Sequence, residues 1–248
     1  MRENPVWRES VEIFFTEGHG FAVYFYLLII MAPVEFLSLY IPSLDAQRWS
    51  GSASLFKVTA VTALLLMVYF TLRVGNQEFA AWRFKSFKHW IRERGQSATA
   101  ISQGQTCFLV AHTTLSLLLC GPFLVWAGAI ARTPPAKIGA VFLLLPFYAL
   151  SYGVWGLASL ALWERRLENR QVFIRSLFTC LVILSALFYL PLNPIAFVLA
   201  FLSRQELPPL ILFGIQWPGT FTHLVFHVLL GISGYAIYRW ALTREPLF

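Results

Sequence analysis

The sequence predicts an all-α membrane protein with six transmembrane helices, and three observations support this prediction. Hydrophobic residues make up 58% of the 248 residues and charged residues only 12%, compared with roughly 25% charged residues in soluble proteins. Six apolar runs are long enough to cross, as helices, the roughly 30 Å hydrocarbon layer of a bilayer. They cover about 21–40, 55–72, 107–130, 138–163, 172–190 and 220–240. In this arrangement 14 of the 19 Lys and Arg residues fall on one side, which the positive-inside rule makes the cytoplasm, with both termini there.

Residues 1–20 are predicted to form an amphipathic interfacial helix. Asn4 can cap its first turn, and Pro5 suits the first helical position. At helical spacing an apolar face then lies opposite a charged one. The apolar face holds Trp7, Val11, Phe14 and Phe15, and the charged face holds Arg8, Glu9 and Glu12. The apolar run that follows lacks a small-residue cleavage site, so we expect the first span to remain in the protein.

The segment 73–105 interrupts the hydrophobic signal between the second and third spans. Its basic residues are Arg73, Arg83, Lys85, Lys88, Arg92 and Arg94, against only Glu78 and Glu93. The segment therefore cannot cross a lipid core and is predicted to be cytoplasmic. Apolar residues recur beside the basic ones at helical spacing, namely Ala80, Phe84, Phe87 and Ile91. This pattern is typical of a helix in the headgroup layer.

A second short helix is predicted over 98–102, where Ser97 can cap it after Gly95 has ended the first helix. Gly104 would then separate the short helix from the third span. Two short cytoplasmic helices between two spans offer a surface on which a soluble partner can act. The alternative is a solvated basic loop that only fixes the topology.

The region 191–218, between the fifth and sixth spans, is apolar but interrupted at 203–206. Each of its apolar runs is roughly 10 residues long, which is too short to cross the membrane. We expect a re-entrant hairpin or interfacial helices on the outer side.

Glu35 is the clearest candidate for a functional ionisable group inside a span, because a buried charge is costly in a bilayer. It lies near Pro33 in the first span. It is predicted either to face a polar cavity or to sit at the outer interface.

Three histidines fall within the predicted spans: His112 in the third, and His223 with His227 in the sixth. They allow a membrane-anchored haem or redox subunit as one alternative. Polar packing between helices is the commoner role of such residues. Cys107, Cys120 and Cys180 lie in apolar runs without CxxC spacing, so no disulfide framework or zinc site is expected.

Enzymatic activity in this chain is disfavoured. The sequence has no GxxxxGK[ST] motif, so ATP hydrolysis by that device is excluded. Ser233, in a Gly-Ile-Ser-Gly run, shares its helix with His227 at an offset that does not let the two side chains face each other. The lone aspartate, Asp45, provides no acidic pair. The net charge of +7 follows from the cytoplasmic basic residues and does not indicate nucleic-acid binding.

The whole arrangement resembles the permease subunit of an ABC transporter of the ABC-2 type. Shared features are the N-terminal amphipathic helix, six spans, a cytoplasmic segment between spans two and three, and outer re-entrant helices after span five. The start 4–9, Asn-Pro-Val-Trp-Arg-Glu, is similar to the start of many such permeases, and Asn193-Pro194 also fits. Arg92-Glu93-Arg94-Gly95 resembles the lead into the family's coupling helix, although Gln96 follows where a threonine is usual.

The resemblance implies a permease subunit that dimerises with an identical or different permease and is driven by a separate nucleotide-binding ATPase subunit. ATP and Mg would bind that partner, and this chain would need no cofactor. The residues expected to couple to the partner are Arg92, Glu93, Arg94, Ser97, Ile101 and Gln103. A bacterial inner (plasma) membrane and export are expected, with Glu35 as a candidate residue of the transport pathway. A noncatalytic membrane scaffold subunit is a further alternative.

Overall fold

The computed structural model describes residues 4–16, 19–40, 51–77, 95–163, 166–212 and 214–244. This part of the chain contains eight α-helices, a 3-10 helix at Leu190–Leu192 and two short strands. The helices are α1 Pro5–Thr16, α2 His19–Tyr40, α3 Gly51–Gly75, α4 Ala98–Ile130, α5 Pro135–Leu162, α6 Leu167–Phe188, α7 Pro194–Ser203 and α8 Gly219–Thr243. The strands are β1 Leu210–Leu212 and β2 Ile215–Trp217.

Six of these helices, α2 to α6 and α8, are long and apolar enough to cross a membrane. This confirms the prediction of an all-α membrane protein with six apolar helices. Their centres agree with the predicted runs, and the main difference is the length of α4. Six apolar helices of this length indicate an integral membrane protein.

Helix α3 is the centre of the bundle. It packs against α2, α4 and α5, and 61% of its span is buried, compared with 6% of the span of α6. Contact with α5 is close because glycines line it: a Cβ added at Gly156 would lie 2.4 Å from the backbone oxygen of Leu72. Small residues of this kind let two membrane helices approach until their backbones touch.

Helix α4 runs without a break from Ala98 to Ile130, so the short helix predicted over 98–102 is not a separate element. The predicted cap at Ser97 is confirmed, because its Oγ accepts a hydrogen bond from the amide of Ala100 at 3.1 Å. Gly104 does not break the helix. With 33 residues, α4 is about 50 Å long, so it extends beyond a hydrocarbon layer of roughly 30 Å.

The region between α6 and α8 contains the 3-10 helix, α7 and a β-hairpin, where we expected a re-entrant hairpin or interfacial helices. Asn193 caps α7, since its Oδ1 accepts hydrogen bonds from the amides of Ile195 and Ala196. The second apolar run instead forms β1 and β2, which pair antiparallel. Gly214 lies between them with a φ of 78°, a value that favours a tight turn. Because a two-stranded hairpin has open backbone edges, it belongs outside the hydrocarbon layer.

Candidate functional site

The first turns of α4 bind the N-terminal helix α1 through Asn4. The side-chain amide of Asn4 donates a hydrogen bond to the carbonyl oxygen of Ala100 at 2.8 Å. Its Oδ1 also accepts from the amide of Val6 at 2.9 Å, which caps α1. Asn4 therefore both starts its own helix and fixes that helix to the start of α4.

The backbones of α1 and α4 approach closely at Gly104. A Cβ at Gly104 would lie 2.9 Å from Cβ of Val6 and 3.0 Å from the backbone nitrogen of Trp7. Glycine is needed there because any side chain would push the two helices apart. This packing against α1 is the structural reason for the glycine inside α4, and it offsets the weaker helix propensity of glycine.

The far end of α1 is fixed by aromatic contacts. The Phe14 ring is buried and lies 5.4 Å from the ring of Phe108, 5.9 Å from that of Tyr24 and 5.8 Å from that of His112. These rings belong to α2 and α4, so α1 is packed against both helices. Edge-to-face contacts of this kind add to the hydrophobic burial.

The end of α8 binds the same turns of α4. Tyr238 donates a hydrogen bond to Oε1 of Gln105. One guanidinium nitrogen of Arg239 donates to Oγ of Ser102 at 2.5 Å, and the other donates to Oγ1 of Thr99 at 3.3 Å. Residues 97–105, which we call the α4 start, thus contact the first and the last helix of the chain.

The sequence assigned six residues to contact with a partner, and the structure describes three of them. Ser97 and Gln103 are exposed on the α4 start. Ile101 is 1% exposed, so its side chain packs inside the protein and is not available to a partner. Arg92, Glu93 and Arg94 lie outside the described residues, as does the helix predicted around Phe84.

The predicted apolar face of α1 packs mostly inward. Phe14 is buried, Trp7 and Val11 pack against the core, and Phe15 is 47% exposed. Val6 and Ser10, which sequence analysis left out, are buried as well. The apolar face of α1 therefore packs mainly against α2 and α4, and Phe15 is the residue of this face that is left exposed.

A cavity of about 360 Å³ lies at the surface between part of α1 and the α4 start. Its lining residues are Asn4, Trp7, Gln103, Gly104 and Cys107. Since Gln103 is exposed, the cavity lies at the surface of the α4 start. An external side chain can reach the contact between α1 and α4 from there.

His223 and His227 form a second polar cluster, between α5, α8 and the 3-10 helix. Nδ1 of His223 lies 2.6 Å from the carbonyl oxygen of Pro191, and its Nε2 lies 2.5 Å from the hydroxyl of Tyr148. Nδ1 of His227 lies 3.0 Å from the carbonyl oxygen of His223, and its Nε2 lies 3.3 Å from the hydroxyl of Tyr152. Both rings are fully buried.

The hydrogen-bond partners show which nitrogen of each histidine ring donates and which accepts. A carbonyl oxygen can only accept, so each Nδ1 donates, and in a neutral ring each Nε2 accepts from a tyrosine hydroxyl. The Nε2 lone pair that would bind a haem iron is therefore already used in His223 and His227. Phe197 also stacks on the His223 ring at 3.9 Å. The cluster fits polar packing between helices better than metal ligation.

His112 belongs to a different part of the bundle. Its Nδ1 lies 3.0 Å from the hydroxyl of Tyr24, and its ring contacts Phe14. Among the described residues, no group of three His, Cys, Asp or Glu side chains could hold a metal ion. His112 therefore lies apart from the pair His223 and His227, whose rings are 4.3 Å from each other.

Glu35 is buried near the end of α2 and lines a cavity of about 480 Å³ between α2 and α4. The other described lining residues are Ala32, Phe36, Pro122, Phe123 and Trp126. Glu35 therefore lines a cavity, but the walls of this cavity are apolar and aromatic, unlike those of the polar cavity that was one of the two expectations for this residue.

Sequence analysis did not identify Tyr148, Tyr152 or Arg239 as contact residues, because their partners are distant in sequence. One usable signal existed: Tyr148 and Tyr152 are four residues apart on one helix, and so are His223 and His227. Residues four apart lie on the same face of a helix, so each tyrosine of one pair can bond to one histidine of the other. Arg239 gave no comparable signal, because its partners in α4 are small hydroxyl residues.

The fold and these contacts define the class of protein: an all-α integral membrane protein. Compared with models of known protein families, with curated proteins and with solved structures, the chain shows no match. Its function is therefore argued from its own residues.

Proposed function

We propose that the chain is the membrane-spanning permease subunit of an ATP-driven exporter of the ABC-2 type. In this proposal two permease subunits, identical or different, assemble with separate nucleotide-binding subunits, which bind ATP and Mg. The α4 start receives the motion of those subunits. The proposal also places both termini and the α4 start in the cytoplasm of a bacterial inner membrane.

The observation that supports this proposal most is the set of contacts made by the α4 start. Asn4 and Gly104 join it to α1, while Arg239 and Tyr238 join it to α8. A force on residues 97–105 therefore acts on three helices at once. Because α4 is continuous to Ile130, a displacement at its start is carried through the bundle.

An ATPase can drive such a bundle only if it contacts two arrangements of the bundle differently. The α4 start offers exposed side chains for that contact at Ser97, Thr99 and Gln103. Rigid-body movement of packed helices is a common form of such a transition. The cavity beside Gln103 gives a partner side chain access to the contact between α1 and α4.

Co-purification from native membranes tests the proposal. An affinity-tagged chain, extracted in mild detergent, should carry with it a protein that has a GxxxxGK[ST] motif and hydrolyses ATP. The variant Gln103→Trp should lose most of this partner, because the bulky ring blocks the surface of the α4 start. The matched control Gln216→Trp changes an exposed glutamine of β2 and should retain it. Recovery of a folded chain with no nucleotide-binding protein would refute the proposal.

A further inference from the structure

The cavity beside Glu35 has the composition of a binding site for an organic cation. We propose that it binds a cation with an apolar body and no phosphate group, such as a quaternary ammonium or phosphonium ion, whose charge pairs with Glu35. Nothing in the composition or spacing of the sequence specified the ligand of this residue. The inference rests on the carboxylate, the aromatic walls and the opening of the cavity.

The carboxylate is the first of these observations. Glu35 is only 3% exposed, and its Oε1 is buried without a hydrogen-bond partner among the described residues. A buried carboxylate without a partner is costly, and this cost falls when a cation binds beside it. Among the described residues lining the cavity, Glu35 is the single charged group.

The walls select the kind of cation. Phe36, Phe123 and Trp126 present aromatic rings, which attract cations through their faces as well as apolar groups. A metal ion would need several oxygen ligands, and the remaining described lining residues, Ala32 and Pro122, supply no side-chain oxygen. An organic cation can satisfy both the carboxylate and the rings.

The cavity opens sideways between two helices. Phe36 is 59% exposed and Trp126 is 46% exposed, so its rim faces the surroundings of the bundle. Pro33 and Pro122 lie inside α2 and α4, and proline inside a helix removes a backbone hydrogen bond and favours a kink. The volume of about 480 Å³ falls within the range of small-molecule sites. A cation with an apolar body can enter from the bilayer.

A zwitterionic phospholipid headgroup carries the same kind of cation but also a phosphate. The described lining residues include no Lys or Arg, so a phosphate in the cavity would have no basic partner there. The site therefore favours a cation without a phosphate group. Binding of such a cation can be measured on the chain alone, whereas its transport rests on the proposed permease function.

Equilibrium binding of radiolabelled tetraphenylphosphonium to the purified full-length chain in dodecyl maltoside tests the proposal. We expect saturable binding that Glu35→Gln weakens at least tenfold, while Glu35→Asp retains it within a few-fold. The control Glu206→Gln changes an exposed glutamate and should leave the affinity unchanged. Trp126→Leu, at a position that is 46% exposed, should weaken binding several-fold and provides a second test if Glu35→Gln does not fold.

Competition distinguishes the class of ligand. Dodecyltrimethylammonium should displace the probe, whereas dodecylphosphocholine, which has the same cationic head and an added phosphate, should not at the same concentration. Equal displacement by both would overturn the exclusion of phosphate-bearing ligands. Unchanged affinity in both Glu35→Gln and Trp126→Leu would overturn the site itself. Neither result depends on co-purification with an ATPase. Failure of the cation site can therefore be distinguished from failure of the permease proposal.

Discussion

The side-chain amide of Asn4 donates a hydrogen bond to the carbonyl oxygen of Ala100, across 96 positions of the chain. Ala100 lies in the first turn of the longest helix, three residues after its cap Ser97. The bond therefore joins the start of α1 to the first turn of α4. It fixes α1 to the α4 start.

Replacing Asn4 should separate these two elements. Asn4→Ala removes the cap of α1 and the bond to Ala100, and should destabilise the protein by about 1–2 kcal/mol. The unfolding temperature of the purified chain in detergent measures this loss. Ser97→Ala removes one local cap bond at an exposed position and should have a smaller effect. Equal effects of the two changes would show that the bond to Ala100 contributes nothing.

Gly104 gives a steric test of the same contact. Gly104→Ala places a Cβ 2.9 Å from Cβ of Val6, and overpacking of this kind costs about 1–3 kcal/mol. The control is Gly139→Ala, also within a helix, where a Cβ meets nothing within 4 Å. That change should leave stability unchanged or raise it by up to about 1 kcal/mol. If both variants unfold at the wild-type temperature, α1 is not held against α4 as the structure shows.

The six apolar helices and the caps at Asn4 and Ser97 could be predicted from the sequence, because hydropathy and capping are local signals. It did not show that α4 continues through Gly104, since glycine is compatible with a break or with close packing. Only the position of Val6 in space distinguishes the two. The hairpin at Ile215 was missed for a similar reason: a short apolar run fits a strand or a helix.

The histidine cluster predicts a stability effect and a spectroscopic result. Tyr148→Phe removes the hydroxyl that bonds Nε2 of His223 at 2.5 Å and should cost about 1–2 kcal/mol. Tyr152→Phe removes a longer bond of 3.3 Å to His227 and should cost less. Both are measured by unfolding in detergent. The reverse order would contradict the assigned bonds.

The same bonds predict that His223 and His227 do not bind haem, and His112 lies alone in a different part of the bundle. With the Nε2 atoms of His223 and His227 accepting from tyrosines, neither ring has a free lone pair for iron. An absorption spectrum of the chain purified from its native membrane should lack a Soret band. A Soret band that disappears in His223→Ala but persists in the exposed-site control Gln216→Ala would establish the redox alternative instead.

Topology is predicted to place the α4 start and β2 on opposite sides of the membrane. In a background with Cys107 and Cys180 changed to serine, Ser97→Cys should react with a membrane-impermeant thiol reagent only in inverted vesicles. Gln216→Cys should react in intact cells. Both positions are exposed, so access to the reagent is limited by the membrane alone. Labelling of Ser97→Cys in intact cells would exclude a cytoplasmic partner.

Site-specific photocrosslinking from position 103 tests most directly the claim that an ATPase acts on the α4 start. With a photoreactive residue in place of Gln103, we expect a crosslinked product in native membranes that contains a protein with a GxxxxGK[ST] motif. The same residue in place of Gln216, in β2, should give no such product. Crosslinking of the ATPase from position 216 and not from 103, or from neither position in membranes where the chain is folded, would contradict the account.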